Sequence, residues 1–124
     1  KQLYPDKYGD KILFLQLRKV NYFFQGENPY RIYIVEGEVV NHTDNSYNWV
    51  KLKINFLNKD KKIVNIVERY IISDKVIKPM EARKFEIKGA LNPEAVDIDY
   101  AIVDYILVES KKKEPVDVKK SQGK

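Results

Sequence analysis

The sequence predicts an all-β protein, specifically an immunoglobulin-like antiparallel β-sandwich of about six or seven strands. Apolar and polar residues alternate along several segments, which is the period of a strand with one buried face. Clusters of turn-forming residues separate these segments, and no segment shows a convincing helical period. A small closed barrel is the alternative that the same pattern permits.

The clearest strand covers residues 50–57, where apolar and polar residues alternate strictly. Because side chains of a strand point to opposite faces in turn, one face is apolar and the other is charged or polar. Such a strand is typical of an antiparallel sheet with one face in water. The apolar set is Val50, Leu52, Ile54 and Phe56, and the polar set is Lys51, Lys53 and Asn55.

A second strand precedes it, at about residues 30–41. Val35 and Val39 share one face, and Glu36 and Glu38 share the other. Since carboxylates rarely lie in a core, the valine face is the predicted core face.

The polar segment 41–46 between these two strands is rich in Asn, Asp, Ser and Thr, which stabilise turns. It predicts a hairpin that joins the two strands. In that hairpin Glu36 and Glu38 would lie opposite lysines such as Lys51 and Lys53, as cross-strand pairs of opposite charge.

Four further strands are predicted, one before the central pair and three after it. The alternation slips near Val67, which indicates a bulge or a strand that changes sheet. The last strand is apolar on both faces and is therefore predicted to be central in its sheet. The segments are 11–20, 63–72, 83–88 and 96–108, with a short hairpin turn at 58–62.

Length and composition predict one domain, since 124 residues suffice for a single core. Residues 1–10 are interpreted as an irregular N-terminal segment, 11–110 as the β-sandwich, and 111–124 as a disordered lysine-rich tail. The tail carries a net charge of +4 and the other 110 residues only +1. This distribution disfavours nucleic-acid binding by the folded part.

Three segments are similar to the FxLYD family and to related bacterial immunoglobulin-like envelope domains that follow a zinc ribbon and a membrane helix. Residues 35–44, Val-Glu-Gly-Glu-Val-Val-Asn-His-Thr-Asp, resemble the family's opening "hydrophobic-x-Gly-x-Val-x-Asn-x-Thr/Ser". Residues 50–60 look like its next strand, and residues 77–85 like its "Leu-x-Pro-Gly-Glu-x-x-x-Phe" step. Met80 and Lys61 stand where the family usually has glycine. The resemblance covers roughly residues 12–88.

This resemblance implies a β-sandwich displayed outside the cytoplasmic membrane, in the periplasm or at the cell surface, with no catalytic residues assigned. An anchor outside this chain would supply any membrane attachment. No apolar run in the sequence approaches the ~20 residues of a membrane helix. A cytoplasmic location stays open.

Candidate catalytic and metal-binding residues are few. His42 is the only histidine and the chain has no cysteine, so we expect a solvated loop residue and no zinc site. Asp97, Asp99 and Asp104 lack the Gly-containing Asp-rich loop of a calcium site. Asn41-His-Thr matches an N-glycosylation sequon, which the bacterial resemblance predicts to be unmodified. We expect no cofactor and no enzymatic activity.

A candidate binding surface lies on the polar face of the strand at 50–57. Tyr47, Trp49, Lys51 and Lys53 are spaced by two, which predicts an aromatic and basic patch on the outside of a sheet. Packing of Trp49 at the rim of the sandwich is the alternative. Such patches bind partner proteins or stack on bases.

Two functions follow from this surface. The first is a non-catalytic protein-interaction or structural module of a bacterial cell-envelope assembly, with other envelope proteins as partners. The second is a small nucleic-acid-binding β-domain that uses the Trp49 and lysine face with the basic tail. The near-neutral folded part favours the first.

Overall fold

The computed structural model describes residues 15–108, which form six β-strands. These residues contain no helix of the length and apolarity needed to cross a membrane. The strands are β1 (Leu15–Gln25), β2 (Ile32–Asn41), β3 (Ser46–Leu57), β4 (Ile63–Ile72), β5 (Ala82–Ala90) and β6 (Asp97–Val108). The predicted N-terminal segment 1–10 and the predicted tail 111–124 lie outside the described residues.

The strands form two antiparallel three-stranded sheets. Sheet A has the order β1-β2-β5, and sheet B has the order β4-β3-β6. Within residues 15–108 no strand of one sheet pairs with a strand of the other, so the fold is a β-sandwich and not a closed barrel. The all-β sandwich that the alternation predicts is therefore confirmed.

The predicted hairpin between β2 and β3 is wrong, because the two strands belong to different sheets. Segment 41–46 crosses from one sheet to the other. The acidic residues of β2 consequently face sheet A neighbours and not Lys51 or Lys53: Glu36 lies opposite Glu86, and Glu38 bonds Arg18 at 3.0 Å. The hairpin at 58–62 is confirmed, since β3 pairs with β4 through that turn.

The core lies between the central strands β2 and β3. Val35 and Val39 are fully buried, as predicted, and so is the apolar set of β3 from Val50 to Phe56. The Tyr33 ring reaches across to Phe56, with ring centroids 4.8 Å apart. Gly89 of β5 makes room for it, because a Cβ there would lie 2.5 Å from Tyr33 Oη. Each large buried side chain stabilises the fold by about 1.5–3 kcal/mol.

The buried Asn41 side chain fixes the crossover between the sheets. Its Nδ2 donates to the carbonyl oxygens of Asn45 at 2.7 Å, Lys78 at 3.1 Å and Ile77 at 3.2 Å. Its Oδ1 accepts from Thr43 N at 3.0 Å and Thr43 Oγ1 at 2.8 Å. Because Nδ2 is fully enclosed and bonded, the sequon asparagine is not accessible in the folded protein.

Several strand boundaries differ from the predicted ones. β1 runs to Gln25, so the aromatic residues after residue 20 belong to the strand, and β5 continues through Gly89. β6 is an edge strand of sheet B and not a central one. In β4 the register shifts at Val64 and Ile71 and not at Val67, which pairs regularly with Ile54.

Two connections contain residues in the left-handed conformation. Lys61 has φ 64° in the β3–β4 turn, and Met80 has φ 63° before β5. Asn58 holds the first turn, because its Oδ1 accepts from Asp60 N and Lys62 N. Both conformations are ones that favour glycine.

Candidate functional site

A bulge in β3 places Trp49 on the surface of the protein. Trp49 has φ 46°, a left-handed conformation that is rare for a bulky residue. Its N–H leaves the strand ladder and donates to Ser73 O at 3.0 Å. The register of β3 with β6 shifts between Asn48 and Lys51, so Trp49 and Val50 together occupy one position.

This bulge shows that the predicted patch is wrong for Tyr47. One extra residue reverses the alternation, so Tyr47 points inward and is only 5 % exposed. Its ring contacts Tyr105 edge-on at 5.6 Å. Lys51 and Lys53 lie on the opposite, outer face of sheet B, as predicted.

The outer face of sheet B brings together a small cluster that we call the Trp49 face: Trp49, Lys51, Lys53, Glu68 and Tyr70. Trp49 is 38 % exposed and meets the Tyr70 ring nearly at a right angle, with centroids 5.1 Å apart. Lys51 Nζ lies 5.2 Å from the centre of the same ring. The aromatic pair is therefore ordered by its neighbours while its outer surface stays in water.

Charges on the Trp49 face alternate in sign. Lys51 Nζ lies 3.5 Å from Glu68 Oε1, and Lys53 lies directly opposite Glu68 in the strand register. The nearby Tyr70 hydroxyl, and after it Glu68, raises the pKa of the Lys51 ammonium above its ordinary value. Asp104 lies opposite Lys51 on the other side. The face is thus amphipathic and close to neutral.

Tyr70 and Glu68 belong to this face and were not among the predicted site residues. They come from β4, whose outward positions are fixed by its pairing with β3. The signal in the sequence was the hairpin turn at 58–62, which folds β4 back along β3 and places residues near 70 beside Lys51.

The other candidate residues serve local structure. His42 is exposed, and its Nε2 lies 2.7 Å from Gln16 Oε1. Asp97 accepts a 2.5 Å hydrogen bond from Tyr22 Oη, which joins the two sheets at one end. This bond lowers the pKa of Asp97 and raises the pKa of Tyr22. Within residues 15–108 no three His, Asp or Glu side chains converge on a point where a metal would bind.

No family model and no curated protein matches the chain. One solved structure with a similar course of the chain is the X-ray structure of Northeast Structural Genomics Consortium target SoR45. The two are 11 % identical with a TM-score of 0.48, over 85 % of this chain and 93 % of that one.

Proposed function

We propose that this protein is a non-catalytic interaction module that binds a partner protein through the Trp49 face. The observation that carries the proposal is the conformation of Trp49. A large aromatic residue in left-handed backbone costs of order 1–3 kcal/mol, and such strain clusters at functional sites. Here the strain places an indole on the surface instead of in the core.

The composition of the face fits a protein partner. Tryptophan and tyrosine are enriched at the centres of protein interfaces, where each buries a large area at low entropic cost. Lys51, Lys53 and Glu68 form a mixed polar rim beside them. A nucleic acid requires an excess of positive charge, whereas residues 15–108 carry 14 Lys and Arg against 13 Asp and Glu.

The proposed setting is an assembly of the bacterial cell envelope, with other envelope proteins as partners. The likeness of residues 12–88 to envelope domains supports this setting. An extracytoplasmic location and attachment through an anchor outside this chain belong to the same proposal.

Site-specific photocrosslinking in the native cells tests the proposal. A photoreactive amino acid replaces Lys53 on the Trp49 face, and in a matched control it replaces Glu86 on the outer face of sheet A. We expect products with envelope proteins in the membrane fraction from position 53 and none from position 86. Products with RNA or ribosomal proteins from the cytosol would instead favour the nucleic-acid function.

Removal of the indole provides the second test. Trp49→Ala should abolish the position-53 product, while Tyr30→Ala, which removes an even more exposed aromatic ring in the β1–β2 connection, should leave it unchanged. Circular dichroism would verify that both variants remain folded. Persistence of the product in Trp49→Ala would refute the proposal.

A further inference from the structure

The edge of β6 differs from the other three edge strands of the sandwich. β1 carries Arg18 and Lys19 beside a bulge, and β5 carries three cationic residues at 83, 84 and 88. β4 carries Arg69. β6 has neither lysine nor arginine nor proline over its 12 residues, and its register with β3 shifts once within the strand, at Val103. Lysines and prolines are among the usual means by which a sheet edge is kept from pairing with another chain.

The second half of β6 has exposed apolar side chains on both faces. Ile106, opposite Asn48 on the outer face, is 51 % exposed, and Leu107, opposite Tyr47 on the inner face, is 55 % exposed. β3 pairs with one side of β6 along the whole strand. In the part of the chain that the structure describes, no strand pairs with the other side. One long, largely apolar edge is therefore available for strand addition.

The charge of β6 indicates which strand would fit. All its charged residues are aspartates, and Asp97 is already bonded to Tyr22. Asp99 and Asp104 are exposed and lie on the same outer face, opposite Asn55 and Lys51 of β3. A strand added beyond β6 would bring its own residues next to these two carboxylates, and cations there would form favourable cross-strand pairs.

We propose that the β6 edge accepts an extended segment of a partner protein in which apolar residues alternate with lysine or arginine. The segment would continue sheet B as a fourth strand, with backbone hydrogen bonds to β6. Its cations would lie on the outer face beside Asp99 and Asp104, and its apolar residues would lie on the inner face beside Tyr100 and Leu107. The inference rests on the proposed function and adds the mode of binding.

A phage-displayed library of random twelve-residue peptides, selected on the full chain, tests this inference. We expect enriched peptides that alternate apolar and basic residues. In ¹⁵N-labelled full chain, a synthetic peptide of that sequence should shift the amide signals of 97–108 and leave those of β4 and β5 unchanged. Enriched peptides without cations, shifts elsewhere, or no enrichment would overturn the inference.

Matched variants locate the binding edge. Ile106→Lys places a charge on the exposed edge and should weaken peptide binding at least tenfold. Ile66→Lys makes the same change at a similarly exposed position on β4, the opposite edge of sheet B, and should alter binding less than twofold. Equal effects of the two would count against the β6 edge.

Three further outcomes would contradict the addition of a partner strand to β6. Peptide binding that is lost in Trp49→Ala and kept in Ile106→Lys would retain the Trp49 face and refute strand addition. A dimer of the full chain that Ile106→Lys dissociates would assign the edge to a second copy. Protection of the outward β6 amides from hydrogen exchange in the free chain, equal to that of β3, would show an edge covered by the chain itself. Each of the last two results would overturn the inference that the β6 edge binds a segment of a partner protein.

Discussion

Replacement of Asn41 by alanine should be among the most destabilising single changes at a polar residue. The side chain makes five hydrogen bonds, to Thr43 twice and to the carbonyl oxygens of Asn45, Ile77 and Lys78. The loss is about 1 kcal/mol per bond, and larger where a buried group stays unpaired. Because Lys78 and Asn45 can regain water, we expect a total of about 3–4 kcal/mol.

That loss would be a large part of the 5–15 kcal/mol by which domains are typically stable. It corresponds to a fall in Tm of about 12–30 °C for a domain of this size. Urea denaturation followed by tryptophan fluorescence measures the free energy of unfolding directly. The fluorescence reports on the fold as a whole through Trp49, the sole tryptophan.

His42→Ala is the matched control, because it changes the next residue along the same crossover. His42 is exposed, and within residues 15–108 its ring has one side-chain hydrogen-bond partner, Gln16, so we expect a loss below about 1 kcal/mol. If Asn41→Ala cost less than 1 kcal/mol, or no more than the control, the role assigned to the asparagine would be refuted.

Three further predictions concern backbone strain, packing and pH. Lys61→Gly and Met80→Gly should each raise the free energy of unfolding by about 0.5–1 kcal/mol, because glycine adopts the left-handed conformation without strain. A lower free energy of unfolding, measured by urea denaturation, would contradict this. Gly89→Ala should lower stability by about 1–3 kcal/mol through collision with the tyrosine ring that lies across it, and thermal melting within 2 °C of the parent would disprove the collision. The lowered pKa of Asp97 stabilises the fold above the ordinary aspartate value of about 3.9, and this stability is lost as the pH falls through the folded-state pKa. The raised pKa of Tyr22 stabilises the fold below about pH 10 and this is lost as the pH rises through its folded-state value. Tyr22→Phe should therefore flatten both limbs of the stability–pH curve, and an unchanged acid limb would count against the bond.

The sequence was sufficient to predict the fold class and the faces of the best strands. The reason is that period-two alternation is itself the consequence of one-sided burial, so Val35, Val39 and the apolar set of β3 could be assigned directly. The partner of each strand was harder to predict. A polar turn such as 41–46 has the same composition whether the flanking strands pair or cross between sheets, and only the buried Asn41 distinguishes the two.

The candidate site was half predictable for a related reason. Alternation carries a phase, and one extra residue reverses it, as Trp49 does between Tyr47 and Lys51. No residue type in this segment of the sequence predicts that a bulge occurs at the tryptophan. β6 was assigned to a sheet centre because both its faces are apolar, and the edge it forms can be recognised only from the strand order.

The bulges of sheet B have a consequence for how the sheet finds its correct alignment. If the register of β3 against its neighbours shifted by two residues, Leu52, Ile54 and Phe56 would still point inward. Burial of apolar side chains alone therefore does not distinguish between these registers. Register shifts stand side by side at Ile71 in β4, at Trp49–Val50 in β3 and beside Val103 in β6. In a shifted register these irregularities would no longer lie beside one another. The bulge at Trp49 thus favours the observed register of β4, β3 and β6 over others that bury the same apolar residues.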